Sequence, residues 1–375
     1  MVTAVVAARP NFVKMAPVVE ALRAREGVSV RLLHTGQHYD AALSTSFLEQ
    51  LGMPSPDANL GIGSGSHAEQ TARVLVGVEQ DLVSHRPAAL VVGGDVNSTM
   101  AAALAAAKLG VPIVHVESGL RSGDWTMPEE VNRVVTDRIS DLLLCTSADA
   151  VENLAREGIE GEPVALVGNT MIDSLRRLVD VADPGSVLAE LGLRARGYVL
   201  VTLHRPAVVD EPEALSEVIG VLDELADQLD VVFPVHPRTR ARLSELGTTP
   251  SRVRLLEPVP YLDFIALERM ARLVITDSGG VQEETSALGV PCLTYRTTTE
   301  RPVTIELGTN ALVGTDPAQL AASCRVELAL AREFAPTAIP LWDGNAGPRA
   351  AQAIVGQLIE PAPQPDDIVR AAERH

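Results

Sequence analysis

The sequence predicts an α/β protein built from two doubly wound, Rossmann-like domains, and three observations carry that expectation. Short apolar, β-branched runs alternate with longer segments of helical period along the whole chain. The runs are continuously apolar rather than alternating, as befits strands of a parallel sheet covered on both faces. At 375 residues the chain is also longer than one ordinary core organises, so two domains of similar size are expected.

The first half offers strands over Val2 to Ala7, Val30 to His34, Ala89 to Val92, Ile113 to Val116, Leu142 to Cys145 and Val164 to Val167. Between them, Met15, Val18, Val19 and Leu22 keep one helical face, as do Leu75, Val78 and Leu82. The pattern restarts with Tyr198 to Leu203, Val231 to Val235, Val253 to Leu256, Leu273 to Thr276, Cys292 to Tyr295 and Ala311 to Val313. Asp183, Pro184 and Gly185 mark Val179 to Arg196 as an interdomain connection or variable loop. The domains are therefore expected over 1–170 and 171–360. A tail over 361–375, proline-rich and then charged, is read as frayed or as a surface helix.

Composition narrows the function. A formal charge of −18 argues against a nucleic-acid surface, although it leaves room for an anionic small ligand held by local dipoles and arginines. No apolar run approaches the ~20 residues of a membrane span, and no basic flank precedes the first apolar stretch. Cys145, Cys292 and Cys324 lie far apart in or beside apolar runs, without disulfide or metal spacing. A cytoplasmic protein with neither metal nor cofactor is expected.

In open α/β sheets ligands bind beyond the carboxyl ends of the strands, so the residues just after each strand carry most information. Arg9 and Lys14 follow the first strand at a helix start, a place for an anion or for a plain surface ion pair. His34 to Asp40 is a dense polar loop. Gly93 and Gly94 permit close approach of a ligand, and Asp95 after them serves either chemistry or as a helix cap. Glu117 sits at a strand end, where a carboxylate is costly unless paired, for example with Arg121, or used. Glu129 follows Pro128 at a helix start, where acids also belong for purely helical reasons.

In the second half, His204 with Arg205 and His236 with Arg238 stand just past strands, suggesting phosphate contacts or proton handling. The strongest local signal is Thr276 to Glu284, TDSGGVQEE. A strand ends, two glycines free the backbone, and a helix begins whose N–H groups can point at a diphosphate, with Glu284 one turn in able to accept from two ribose hydroxyls. A capped helix after a tight turn is the plainer alternative. Neither the dinucleotide fingerprint nor a Walker motif is present.

Together these segments resemble the non-hydrolysing UDP-N-acetylglucosamine 2-epimerases. The matching stretches, in order, are ARPNFVKMAPVV, TGQHYD, GGDVNST, HVESGLRSGDWTMPEEVNR, GNTMIDSL, VTLHRP, FPVHPRTR, TDSGGVQEETSALGVPCL and TTERPVTIELGTN. The resemblance implies the glycosyltransferase-B architecture, two Rossmann-like domains facing a cleft. It also implies interconversion of UDP-N-acetylglucosamine and UDP-N-acetylmannosamine by C2 deprotonation with elimination and re-addition of UDP.

By that resemblance Asp95, Glu117, Glu129 and His204 would be catalytic. Arg9, Ser278, Gly279, Gly280 and Glu284 would hold UDP, and Lys14, Arg133 and Arg301 would line the cleft. Gln37, Arg73 and His236 match an activator site for a second UDP-sugar, and a homodimer is implied. The chain departs from the family pattern G-T-R-P-E at Ala7 to Asn11 and from H-R-R-E at His204 to Ala207. The rival readings are a glycosyltransferase of the same architecture and a hydrolysing relative that releases N-acetylmannosamine and UDP.

Overall fold

The computed structural model describes residues 1–36, 47–247 and 250–359. Contacts divide it into two compact units, Met1–Ser174 together with the segment from Pro340 onward, and Leu175–Ile339. Among the described residues no helix is long and apolar enough to cross a membrane. The expected tail lies outside the described residues.

The first unit runs β1 (Val2–Val6), α1 (Arg9–Arg23), β2 (Val30–His34), β3 (Ala58–Asn59), α2 (His67–His85), β4 (Ala89–Gly93), α3 (Asn97–Leu109), β5 (Ile113–Ser118), α4 (Pro128–Ile139), β6 (Leu142–Cys145), α5 (Ala148–Arg156) and β7 (Val164–Leu166), with α6 (Thr170–Val179) at its end. All pairings are parallel, in the order β3-β2-β1-β4-β5-β6-β7. The order reverses between β1 and β4, which makes their carboxyl ends the topological switch point. Val5, Leu33, Leu90, Val92 and Ile113 cluster with Val78 and Leu82 of α2 and with the buried alanines of α3, whose small side chains let that helix lie close to the strands.

The second unit runs α7 (Pro184–Leu191), β8 (Tyr198–Thr202), α8 (Pro206–Val209), α9 (Pro212–Leu225), β9 (Asp230–Pro234), α10 (Pro237–Glu245), β10 (Arg254–Leu256), α11 (Tyr261–Met270), β11 (Leu273–Thr276), α12 (Gly279–Leu288), β12 (Cys292–Thr294), α13 (Val303–Glu306), β13 (Asn310–Leu312) and α14 (Pro317–Ala329). The six strands are again parallel, ordered β10-β9-β8-β11-β12-β13, with the switch point between β8 and β11. Alternate residues of β8 serve opposite faces. Val199 and Val201 join Leu215, Val218 and Leu222 of α9, whereas Tyr198 and Leu200 join Leu267 of α11 and Val281 of α12. Both faces are covered, which is why the strands read as unbroken apolar runs.

Each strand expected from the sequence is present to within a residue or two at its ends, and β3 is an addition. The connection around Asp183 is not a simple loop. Asp183 accepts the Ser186 N–H at 3.1 Å as N-cap of α7, Pro184 opens the helix, and Gly192 closes it in the left-handed region.

The final helix, α15 (Ala346–Ile354), packs on α1 of the first unit. Pro17 inside α1 leaves the Val13 carbonyl without its helical donor, and the Ser174 hydroxyl supplies one at 2.7 Å. Asp173 accepts the Gly347 N–H at 2.8 Å. Burial pushes the Asp173 carboxyl above its usual range against that hydrogen bond. A Cβ added to Gly347 would sit 2.5 Å from the Pro17 carbonyl oxygen, which is backbone and cannot step aside. Gly347→Ala is therefore expected to destabilise the protein by about 1–3 kcal/mol. Thermal unfolding measures it, and an unchanged midpoint would mean that the two helices are free to separate at this point.

Candidate functional site: strand-end carboxylates and a glycine-flanked helix start

At the first switch point, Asn11 ties the two strand ends together. Its Nδ2 donates to the Gly93 carbonyl at 2.8 Å and its Oδ1 accepts the Ala8 N–H at 3.3 Å. Arg9 opens α1, and its side chain is outside what the structure describes. One turn into α1, Lys14 is buried rather than on the surface, with Nζ 2.6 Å from Glu117 Oε2. Gly93 packs so closely on Met15 that a Cβ would come within 2.7 Å of its Sδ, and Gly94 turns the chain at φ 67°.

Glu117 is the extra residue of a bulge between Val116 and Ser118, where the β5–β6 register shifts. It adopts φ 67° without being glycine, a conformation that costs about 1–3 kcal/mol and that the bulge uses to re-aim the side chain. Its pairing with Lys14 replaces the expected pair with Arg121, which instead holds Asp137 and Glu157 at 2.7 Å each.

Asp95 does not cap α3, whose N-cap is Val96. Its carboxylate takes Arg133 Nη2 at 2.6 Å and Nε at 3.1 Å, and its backbone carbonyl accepts from Asn132 at 2.8 Å. Arg133, 3 % exposed, also reaches Glu130 at 2.8 Å, and Glu130 accepts the Ser122 and Gly123 N–H groups. Glu129 is half-buried and makes no hydrogen bond or ion pair with the described residues. Glu117 and Asp95 are thus each held by a cation, whereas none among the described residues holds Glu129.

Beneath this loop His115, fully buried, faces the Gly94 carbonyl through Nε2 at 2.9 Å and Asp137 through Nδ1 at 2.6 Å. Burial alone would raise the Asp137 carboxyl, but His115 and Arg121 hold it below its usual range. This network, with Glu130 and Asn132, supports the carboxylates and carries no signature recognisable along the chain.

The second switch point is organised by Asp277, whose buried carboxylate accepts the His204 and Arg205 N–H groups at 2.8 Å each and meets His204 Nδ1 at 2.9 Å. Those contacts overcome burial and keep the Asp277 carboxyl low. His204 is fixed by its Nδ1 edge on an otherwise half-exposed ring. Arg205 Nε donates to the Asp277 carbonyl at 2.8 Å.

Ser278 is the N-cap of α12, yet its hydroxyl does not cap the helix. The first-turn N–H groups of a helix have no intrahelical partner, so Gly279 and Gly280 offer donors and the positive end of the helix dipole. Gly279 lies against the ends of Arg301 and Glu300; a Cβ there would fall 2.5 Å from Glu300 Oε1. Arg301 is itself buried between Glu283, at 3.0 Å, and Glu300, which Arg296 also holds at 2.8 Å. Glu284 is buried and accepts the Tyr261 hydroxyl. Burial pushes its carboxyl up to about 7, with the Tyr261 hydrogen bond opposing and the Glu283 charge adding.

The residues matched to an activator site are found as follows. Gln37 lies outside the described residues. Arg73, on α2 of the first unit, donates to the Ile62 carbonyl at 3.4 Å. His236, in the second unit, caps α10 by accepting the Arg238 N–H at 3.3 Å.

A family model described as UDP-N-acetylglucosamine 2-epimerase matches residues 20–355. The chain is 39 % identical over 359 residues to a UDP-N-acetylglucosamine 2-epimerase of Methanococcus maripaludis, spanning 93 % of this chain and 96 % of that one. It is 41 % identical over 328 residues to a UDP-2,3-diacetamido-2,3-dideoxy-D-glucuronate 2-epimerase of Pseudomonas aeruginosa, spanning 86 % and 91 %. The Methanocaldococcus jannaschii UDP-GlcNAc 2-epimerase, solved in complex with UDP-GlcNAc and UDP, superimposes with a TM-score of 0.86 at 38 % identity, covering 94 % of this chain and 99 % of that one. With its two parallel, doubly wound sheets and a match over nearly its whole length, the chain belongs to the UDP-N-acetylglucosamine 2-epimerase family.

Proposed function

We propose that the protein interconverts UDP-N-acetylglucosamine and UDP-N-acetylmannosamine without hydrolysing them. The observation that carries the mechanism is the set of three carboxylates at the carboxyl ends of β4 and β5 and the start of α4, two fixed by buried cations and one uncommitted.

The C2 hydrogen is not next to a carbonyl, so its direct removal would leave an unstabilised carbanion. Breaking the C1–O bond to UDP develops positive charge at C1 and acidifies C2–H. The C–H electron pair then becomes the C1=C2 bond of a glycal while the C1–O pair leaves with UDP. Re-addition of a UDP oxygen to C1, with a proton delivered to the other face of C2, completes the inversion. Asp95, Glu117 and Glu129 divide the roles of base, acid and stabiliser of the charge at C1. A carboxylate already bound to a cation is fixed in direction, whereas Glu129 has no such partner among the described residues. In the second unit the start of α12 takes the diphosphate, Glu284 takes the ribose, and His204, oriented by Asp277, takes part in proton handling; Arg9 is assigned to the nucleotide as well.

Proton NMR of UDP-N-acetylglucosamine with the protein in deuterated water tests this reading: the two epimers should interconvert without an acceptor, with deuterium entering C2. Release of free sugar would favour a hydrolase, and dependence on an acceptor a transferase. A second reading, with the same chemistry on a UDP-2,3-diacetamido-glucuronate, draws on the comparable identity to the Pseudomonas protein. Exchange confined to that substrate would select it. We place the enzyme in the cytoplasm as a homodimer. The free, buried state of Cys145, Cys292 and Cys324 supports the compartment.

Ser278→Ala is expected to weaken UDP binding by roughly 3- to 30-fold with little change in kcat. Calorimetric titration measures it, and an unchanged affinity would move the diphosphate away from this helix start.

A further inference from the structure

Glu268, on α11, is fully buried, and none of the steps above uses it. Neither of its oxygens meets a donor, and no ion pair reaches it among the described residues. The group within hydrogen-bond reach is the carboxyl of Glu284. Two ionised carboxylates both accept and neither donates, so in a dry site this contact requires a proton. The other groups facing the pair bring no free positive charge. Tyr261 donates to Glu284, and the Tyr198 hydroxyl is spent on the Leu267 carbonyl. Cys292 is a buried thiol, and Glu283 is paired with Arg301. Glu284 already accepts from Tyr261 and faces Glu283, whereas Glu268 has no other partner among the described residues, which puts the proton on Glu268.

We propose that Glu268 is a positioning acid: it keeps its proton, donates it to Glu284, and with Tyr261 presents Glu284 to the nucleotide as one oriented anion. This inference rests on the reading of Glu284 as the acceptor of the ribose hydroxyls. Burial raises both acids, Glu284 to about 7 and Glu268 well above the ordinary carboxyl range. Nucleotide affinity is therefore lost as pH falls through about 7, when Glu284 takes up a proton of its own.

The test is the UDP dissociation constant of the full chain between about pH 5.5 and 9, for the wild type, Glu268→Gln and Glu268→Leu. Glutamine keeps a donor of similar shape and should leave the midpoint of the acid limb in place. Leucine removes the donor that favours ionised Glu284, so the midpoint should rise by about one pH unit or more, costing roughly 10-fold in affinity near pH 7. A midpoint unmoved by leucine, or moved equally in both variants, overturns the proposal. Should the leucine variant not fold, infrared difference spectra of the wild type against Glu268→Gln near pH 8 decide: the protonated-carboxyl C=O band should vanish in the variant, and its absence from the wild type overturns the proposal. UDP against its 2′,3′-dideoxy analogue separates the two readings. Equal binding of both by the wild type removes the ribose assignment and this inference with it. A preference for UDP that Glu284→Gln abolishes, with a midpoint indifferent to Glu268, removes only the role of Glu268.

Discussion

Glu129→Gln is expected to lower kcat by about 10²- to 10⁴-fold while leaving stability within about 0.5 kcal/mol and UDP affinity close to the wild type. The separation follows from its surroundings. Glu129 is half-buried and has no partner among the described residues, so the neutral amide strands nothing. Glu117 differs, because glutamine there leaves the buried Lys14 ammonium facing an amide in place of an anion, and that variant should lose stability along with turnover. A low rate in the Glu117 variant alone is therefore open to two explanations, whereas in the Glu129 variant it has one. Stopped exchange of deuterium into C2, with a normal thermal unfolding midpoint, is the expected result for Glu129→Gln. Near-normal exchange would take Glu129 out of the proton transfers and leave the chemistry to Asp95 and Glu117.

Why some of this was visible along the chain and some was not comes down to how local each determinant is. The strands are legible because burial on both faces forces unbroken apolar runs, as in Val199 to Val201. Ala58–Asn59 is too short to show a period. Asp183, Pro184 and Gly185 read as a turn because the residues that initiate turns are also those that cap and open helices; only the chain after them decides. The docking of α15 on α1 depends on one glycine meeting the Pro17 carbonyl across a long sequence separation, and no local pattern encodes it.

The same distinction applies to the candidate site. Asp95 and Ser278 come just after strands, Glu117 lies at the end of one, and Glu284 sits in the helix that follows one, so position along the chain singled them out. Glu129 and Glu130 are adjacent, and the roughly 100° step between them on a helix puts one in the ion network and leaves the other without a partner among the described residues, a difference that composition does not carry. Glu268 sits in a stretch, Leu267 to Arg269, that looks like an ordinary amphipathic helix turn. Its meaning depends on Glu284, from another helix, occupying the space beside it.

Glu284→Gln should then make the protein more stable and less able to bind. An acid held at about 7 instead of its ordinary 4.5 binds more protons when folded than when unfolded throughout that interval. Stability therefore falls as pH rises from 4.5 to about 7 and stays lowered above it, by about 3 kcal/mol for this one group. Glutamine has nothing to ionise, so at pH 8 the variant should unfold with about 3 kcal/mol more free energy than the wild type, and the two should converge near pH 4.5. Its UDP affinity should fall by about 10- to 100-fold, because a single neutral amide oxygen would stand in place of the carboxylate proposed to accept from two ribose hydroxyls. Denaturant unfolding across that pH range and titration with UDP read the two effects separately. A variant that gained stability yet bound UDP normally would show a buried carboxylate with no part in recognition. A variant that lost affinity with no gain in stability at pH 8 would show that Glu284 is ionised at little cost in the free protein, with its charge already compensated before any nucleotide arrives.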